Sequence, residues 1–189
     1  MPMIDHFGMI APLYERVFGV GHQTDWRAEL ALSQGMRLLD VGGGTGRIAQ
    51  HLLCESCHVI VADESLKMLQ EAREKNTLHT ACSLAEELPF SRMSFDRVIM
   101  VDAFHHVADQ ERTARELFRV LKPGGILLIE EPDIRLVFVK FIALAEKLLF
   151  MRSHFLDRDK IMDFFRACPA SVSVTEKDGS IWVRVQRLE

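Results

Sequence analysis

The chain is short of the residues that mark several protein classes. Cysteine is scarce, four in 189 residues. Cys54 and Cys57 form a C-x-x-C, but no second pair stands at metal-ligand spacing. Packing cysteines are therefore favoured over a redox pair or half a metal site, and no metal is expected. Positive charge is not in excess: the formal net charge is −4. That implies no strongly basic face and makes nucleic acid a poor candidate partner. The N-terminus has no basic region followed by an apolar run, so no secretory signal is expected and the cytoplasm is. Residues 134–151 are almost continuously apolar, yet they carry Lys140, Glu146 and Lys147 and are too short and too charged to span a bilayer. Internal repeats, linkers and low-complexity stretches are also missing.

What is present suits one globular domain with a full core: 48% hydrophobic and 26% charged residues. The most informative stretch is Leu38-Leu39-Asp40-Val41-Gly42-Gly43-Gly44-Thr45-Gly46, an apolar strand running into a glycine-rich turn. Glycines let a ligand approach the backbone, and the helix that follows offers unpaired N–H groups to an anionic group. A tight turn with no ligand is the plainer reading, although one glycine usually serves for that.

Strand and helix patterns alternate along the chain. Strands are expected at 36–41, 58–62, 78–83, 95–101 and 126–130. Helices are expected at 46–53, 66–75, 110–121 and 158–167. Pro123-Gly124-Gly125 should end the helix before the fifth strand. Val172 and Val174, the turn Asp178-Gly179, then Ile181, Val183 and Val185 read as a β-hairpin. The alternation argues for a doubly wound α/β sheet. Residues 1–34 form a helical lid or packing arm holding Tyr14 and His22. Residues 35–131 form a ligand-binding core, 132–157 an apolar helical insertion or cap, and 158–189 the final helix and hairpin. The apolar run could be a buried helix, a wall around an apolar substrate, a dimer face or a membrane-surface patch.

The glycine spacing bears on the ligand. A dinucleotide site wants G-x-G-x-x-G, whereas here the third glycine, Gly46, comes one place early and Arg47 follows. Asp63 ends the second strand, placed to accept hydrogen bonds from two ribose hydroxyls; alternatively it only caps the next helix.

Asp40-Val41-Gly42-Gly43-Gly44-Thr45-Gly46 resembles the D-x-G-x-G-x-G signature of class I S-adenosylmethionine-dependent methyltransferases. Four further stretches fit in order. They are Asp63 to Leu69, Glu86-Glu87-Leu88-Pro89-Phe90 with Ser94-Phe95-Asp96, Phe104-His105-His106-Val107, and Leu121-Lys122-Pro123-Gly124-Gly125. The most similar subgroup is the small-molecule one that includes the ubiquinone/menaquinone C-methyltransferases. The resemblance covers roughly residues 35–131. It implies a Rossmann-like methyltransferase fold, a mostly parallel seven-stranded sheet whose C-terminal hairpin adds one antiparallel strand.

Carried over to this chain, the resemblance implies that Gly42, Gly43, Gly44, Thr45 and Gly46 wrap the methionine part of S-adenosylmethionine. Asp40 orients that turn and helps hold the amino group, and Asp63 binds the ribose. Val101 and Asp102 lie beside the transferable methyl. Two positions depart from the family's pattern. Glu64 stands where an apolar residue packs on adenine, and Leu84, between Ser83 and Ala85, stands where an acid accepts from the adenine amine. Either Leu84 packs on the ring while Glu64 reaches the amine or faces water, or the adenine end is weakened.

The reaction so implied is in-line methyl transfer to a small apolar or amphipathic molecule, leaving S-adenosylhomocysteine. A non-catalytic cofactor-binding partner or sensor, or an NAD(P)-dependent oxidoreductase, are the alternatives. Alignment of two reactants can supply about 7–11 kcal/mol, more than the roughly 3–5.5 kcal/mol of a general base. If a base exists, His105 and His106 are the candidates, with Asp102 and Tyr14 behind them. A monomer or a homodimer is equally compatible.

Overall fold

The computed structural model describes residues 26–53, 58–75, 78–136, 139 and 154–189. Tyr14, His22, the Cys54/Cys57 pair and most of the apolar run 134–151 lie outside the described residues.

Seven strands form one sheet: β1 (Arg37–Val41), β2 (His58–Asp63), β3 (His79–Cys82), β4 (Phe95–Val101), β5 (Leu121–Pro132), β6 (Ala170–Lys177) and β7 (Ser180–Arg187). Their order is β3-β2-β1-β4-β5-β7-β6. Strands β1 to β5 pair parallel, whereas β7 runs antiparallel to both β5 and β6. The one reversed strand is the one that the family resemblance implies, within the hairpin read from the residues. The chain reverses its direction of winding between β1 and β4, and in open α/β sheets ligands bind outside the carboxyl ends of the strands beside such a reversal.

The helices are α1 (Trp26–Glu29), α2 (Arg47–Leu52), α3 (Leu66–Glu74), α4 (Gln110–Val120) and α5 (Arg158–Asp163), with a 3-10 turn over Phe104–His106. The side chains of Ser65, Asp109 and Asp157 cap α3, α4 and α5 by accepting from the amides of Met68, Arg112 and Lys160. The central strands are apolar on both pleat faces because both are covered. On one face Trp26, Leu30, Ile48, Ala49 and Leu52 pack on Leu38, Ile99 and Leu128. On the other, Ala114, Leu117, Val120, Ile161 and Phe165 pack on Leu39, Val98, Leu127 and Val183.

Two boundaries differ from expectation by four residues or more. β5 begins at Leu121, five residues early, because Leu121 pairs with Phe95 before the register shifts and resumes at Arg97 and Ile126. The last helix stops at Asp163, not at 167. Beyond it the amides of Phe165, Arg166 and Cys168 bond to carbonyls three residues back, which tightens the chain into turns before Pro169.

The described part of the N-terminal segment packs against the sheet. The Arg97 guanidinium, buried in β4, donates to the carbonyls of Leu30 and Ala31. Arg184 Nε donates to the Glu29 carbonyl at 3.2 Å. The carbonyls that end a four-residue helix are thus satisfied by two arginines of the sheet.

Candidate cofactor and active site

The glycine turn sits at the carboxyl end of β1. Gly42 has φ +68°, and a Cβ there would stand 2.6 Å from Ala103 Cβ, in the loop after β4. A side chain at Gly43 would stand 2.6 Å from Asp40 Oδ2. These two positions need glycine because the turn is pressed between its own aspartate and the neighbouring strand's loop.

Asp63 ties the turn to the second strand. Its Oδ2 accepts from the Gly44 amide at 2.9 Å and its Oδ1 from the Ser65 amide at 2.8 Å. The Ser83 amide donates to the Asp63 carbonyl at 3.0 Å, which brings the 83–85 segment alongside. Asp40, Gly42 to Gly46, Asp63 and Ser83 therefore converge as the motifs imply. Val101 and Asp102 join them, because β4 pairs with β1. Thr45 is buried and Ala85 half-buried. Leu84 and Glu64 are exposed at the outer rim, Leu84 with 48% of its surface accessible.

The site's electrostatics are those of a receptor for a cation. Asp40 is buried, and its Oδ2 has no hydrogen-bond partner among the described residues. Burial, then the nearby Asp63 charge, push its carboxyl up to about 7, partly offset by the Ala49 amide and Arg47. Ser83 Oγ is likewise buried without a partner. Buried polar atoms are nearly always bonded, so these two orphans at one site mark places where a ligand's polar groups would complete the protein. Glu130, at the end of β5, is also pushed up to about 7, by burial first. It accepts from Trp26 Nε1 at 2.6 Å, and the Asp102 charge opposes its ionisation. Asp102 has φ +51°, unusual for a non-glycine residue, while its amide is held by the Glu130 carbonyl at 3.0 Å.

On the other face, His105 is buried and its Nδ1 lies 2.5 Å from Glu131 Oε2. Glu131 Oε1 accepts from the Phe104 amide at 2.8 Å. The His105 ring stacks on Phe155 at 4.2 Å and lies 3.9 Å from the ring of His106. The His154 amide donates to the His105 carbonyl at 2.7 Å. The histidine loop is thus locked to β5 and to the chain returning from the apolar run.

Glu130, Glu131 and Trp26 are the members that sequence reasoning missed. A signal existed: Ile126 to Ile129 is apolar, and two acids then end a strand whose position demands burial.

Comparison with known proteins supports the geometry. A methyltransferase domain model matches residues 39–129. That span is just under half of the chain, and over it the chain is similar to class I S-adenosylmethionine-dependent methyltransferases. It is 39% identical over 107 residues to the ubiquinone/menaquinone biosynthesis C-methyltransferase UbiE of Vibrio cholerae, covering 51% of this chain and 41% of that protein. It is 31% identical over 139 residues to 2-methyl-6-phytyl-1,4-hydroquinone methyltransferase 1 of rice, covering 67% and 42%. The chain thus spans about two fifths of the length of these curated relatives. A solved structure from Thermotoga maritima, described as a methyltransferase and possible histamine N-methyltransferase, superposes with a TM-score of 0.75 at 25% identity, over 96% of this chain and 98% of that one.

Proposed function

We propose that this chain transfers a methyl group from S-adenosylmethionine to a small apolar or amphipathic acceptor, with a ring of the hydroquinone class as the leading candidate. The observation that carries the reading is the glycine turn held by Asp63, with the orphaned buried carboxylate oxygen of Asp40 behind it. The residues present fit the cofactor. Asp40 would face its ammonium group, Gly44 and Thr45 its carboxylate, Asp63 its ribose hydroxyls, and Ser83 and Leu84 its adenine. When bound, the cofactor supplies a methyl on a positively charged sulfur, ready for in-line displacement.

The chain's own residues then have three tasks. The glycine turn and Asp63 fix one reactant, so that the encounter with the acceptor becomes effectively unimolecular. Val101 and Asp102 border the place where the two reactants meet. His105 would accept the proton that the acceptor loses as the new bond to the methyl carbon forms, with Glu131 holding its Nδ1. His106 lies against the His105 ring and shapes the same loop. The hydroquinone class rests on the names of the relatives and on the apolar run after β5. No helix among the described residues is long and apolar enough to cross a membrane.

The test is calorimetric titration with S-adenosylhomocysteine, followed by a methyl-transfer assay against prenylated hydroquinones and a panel of amines and phenols. Saturable binding and turnover of a hydroquinone support the reading. No binding at millimolar cofactor product refutes it, and turnover confined to amines would move the acceptor class.

A further inference from the structure

A net negative chain hides a basic groove. It lies at the amino ends of the parallel strands, opposite the glycine turn. Its walls carry Arg92, Arg112, Arg115, Arg119 and Arg187 around Phe118, and the open-sided space between them is about 660 Å3. Among the described residues, the single acid in its lining is Glu116. The helix period explains the clustering: Arg112, Arg115 and Arg119 fall three and four residues apart and share one stripe of α4. The loop before β4 brings Arg92, and the end of β7 brings Arg187.

The arginines divide into two sets. Arg119 is spent on structure. It grips both oxygens of Glu116 and donates to the Phe90 and Leu88 carbonyls at 2.8 and 3.0 Å. Its charge and that of Glu116 cancel. Arg187 is fixed by bonds to the Phe118 and Leu121 carbonyls at 3.1 and 2.8 Å and stacks on the Phe118 ring at 4.7 Å, yet no acid balances it in the lining. Arg112 and Arg115 pair with Glu87 and Glu111 outside the lining, where every partner is more than half exposed. Such pairs contribute little and exchange readily. Arg92 is exposed at the rim.

We propose that this groove is a second binding site, for a small anion bearing two or more phosphate groups. Guanidinium groups match phosphate oxygens in geometry as well as charge. Two arginines would satisfy one phosphate, and four spread over this space call for more than one. The groove is open-sided, and its space of about 660 Å3 lies in the range of small-molecule sites, which favours a compact ligand over a macromolecule. Because the groove and the glycine turn lie at opposite ends of the sheet, the two sites fill independently.

Inorganic tripolyphosphate is the probe, titrated calorimetrically into the full chain at about 0.15 M salt, with and without S-adenosylhomocysteine. The expected result is saturable submillimolar binding, at least about tenfold tighter than monophosphate and unchanged by the second ligand. The R92Q/R112Q/R115Q variant weakens it at least about tenfold while its thermal midpoint and its affinity for S-adenosylhomocysteine stay put. Absence of saturation, or equal affinity in the triple variant, overturns the site. Competition with S-adenosylhomocysteine would place the anion in the crevice and overturn it as well. A single-stranded RNA oligomer that binds tighter than tripolyphosphate through the same arginines would replace the small ligand with a nucleic-acid surface.

Discussion

The two ends of the sheet treat their carboxylates in opposite ways. At the amino end, Asp96 receives Lys122 Nζ at 2.8 and 2.9 Å and the Arg37 amide at 2.9 Å. Glu116 is held by both forks of Arg119. Their bonds to cations hold both carboxyls below the usual range, against the opposing effect of burial. At the carboxyl end, around the winding reversal, Asp40 and Glu130 are buried with acids for neighbours and are pushed up to about 7. Asp133, farther along the same end, is paired with Arg135 and resembles the first group. One end is complete in itself; at the other, Arg47 only partly offsets the two acids, and neither forms an ion pair with a cation among the described residues. A fold that only needed stability would pair or replace those acids, since an unpaired buried carboxyl opposes folding. Under the proposed function, the ammonium group of the ligand would supply the cation that these acids lack.

The contrast breaks most sharply at Asp63. The D63A substitution removes the acceptor for the Gly44 and Ser65 amides together with both proposed ribose contacts. Affinity for S-adenosylhomocysteine should fall about a hundredfold or more by calorimetry, since charge-assisted bonds contribute roughly 1.5–3 kcal/mol each. An effect under tenfold would detach Asp63 from the cofactor. Next comes the histidine loop. Turnover by H105A should fall on the order of 10²–10⁴-fold with cofactor affinity kept, whereas H106A should lose far less. The E131Q substitution should lower kcat and displace its pH profile. Full turnover in both histidine variants would remove the base and leave positioning alone.

A pH experiment separates the two ends directly. A raised carboxyl binds its proton more tightly when folded than when unfolded. Asp40 and Glu130 therefore oppose folding increasingly as pH climbs from their unfolded values, near 4, through about 7. The thermal midpoint of the ligand-free chain should fall between pH 5 and pH 8, and D40N or E130Q should flatten that fall. Asp96 and Glu116 carry the opposite sign. Their contribution is present above the unfolded pKa and is lost as pH drops through the lower folded one. The smallest effect belongs to the amino end. E116Q or K122A should cost about 1 kcal/mol or less in denaturant titration and leave cofactor affinity untouched.

Much of this was legible in the sequence. The C-terminal hairpin, the glycine turn and Asp63 at the end of β2 follow from hydrophobic period, turn chemistry and motif spacing, all of which are local, whereas the seven-stranded sheet with one reversed strand came with the family resemblance. What escaped was set by tertiary approach. Glu131 meets His105 only because β5 lies beside β4, and Trp26 reaches Glu130 across 104 residues of chain. The arginine groove was hidden for a related reason: net charge averages over the surface, while Arg92 and Arg187 join the α4 stripe only in the fold. The early start of β5 reflects pairing of Leu121 with Phe95 across a register shift, which the Pro123-Gly124-Gly125 signal does not reveal.

The most direct test of the unpaired carboxyl end is S-adenosylhomocysteine titration at pH 7 in two buffers of different ionisation enthalpy. The ligand's ammonium group should draw the Asp40 carboxyl into its ionised form, so binding should release protons to the buffer, and D40N should bind more weakly and release fewer. Binding of equal strength in D40N, with no difference between buffers, would contradict the assignment of Asp40 as the waiting partner of a cation.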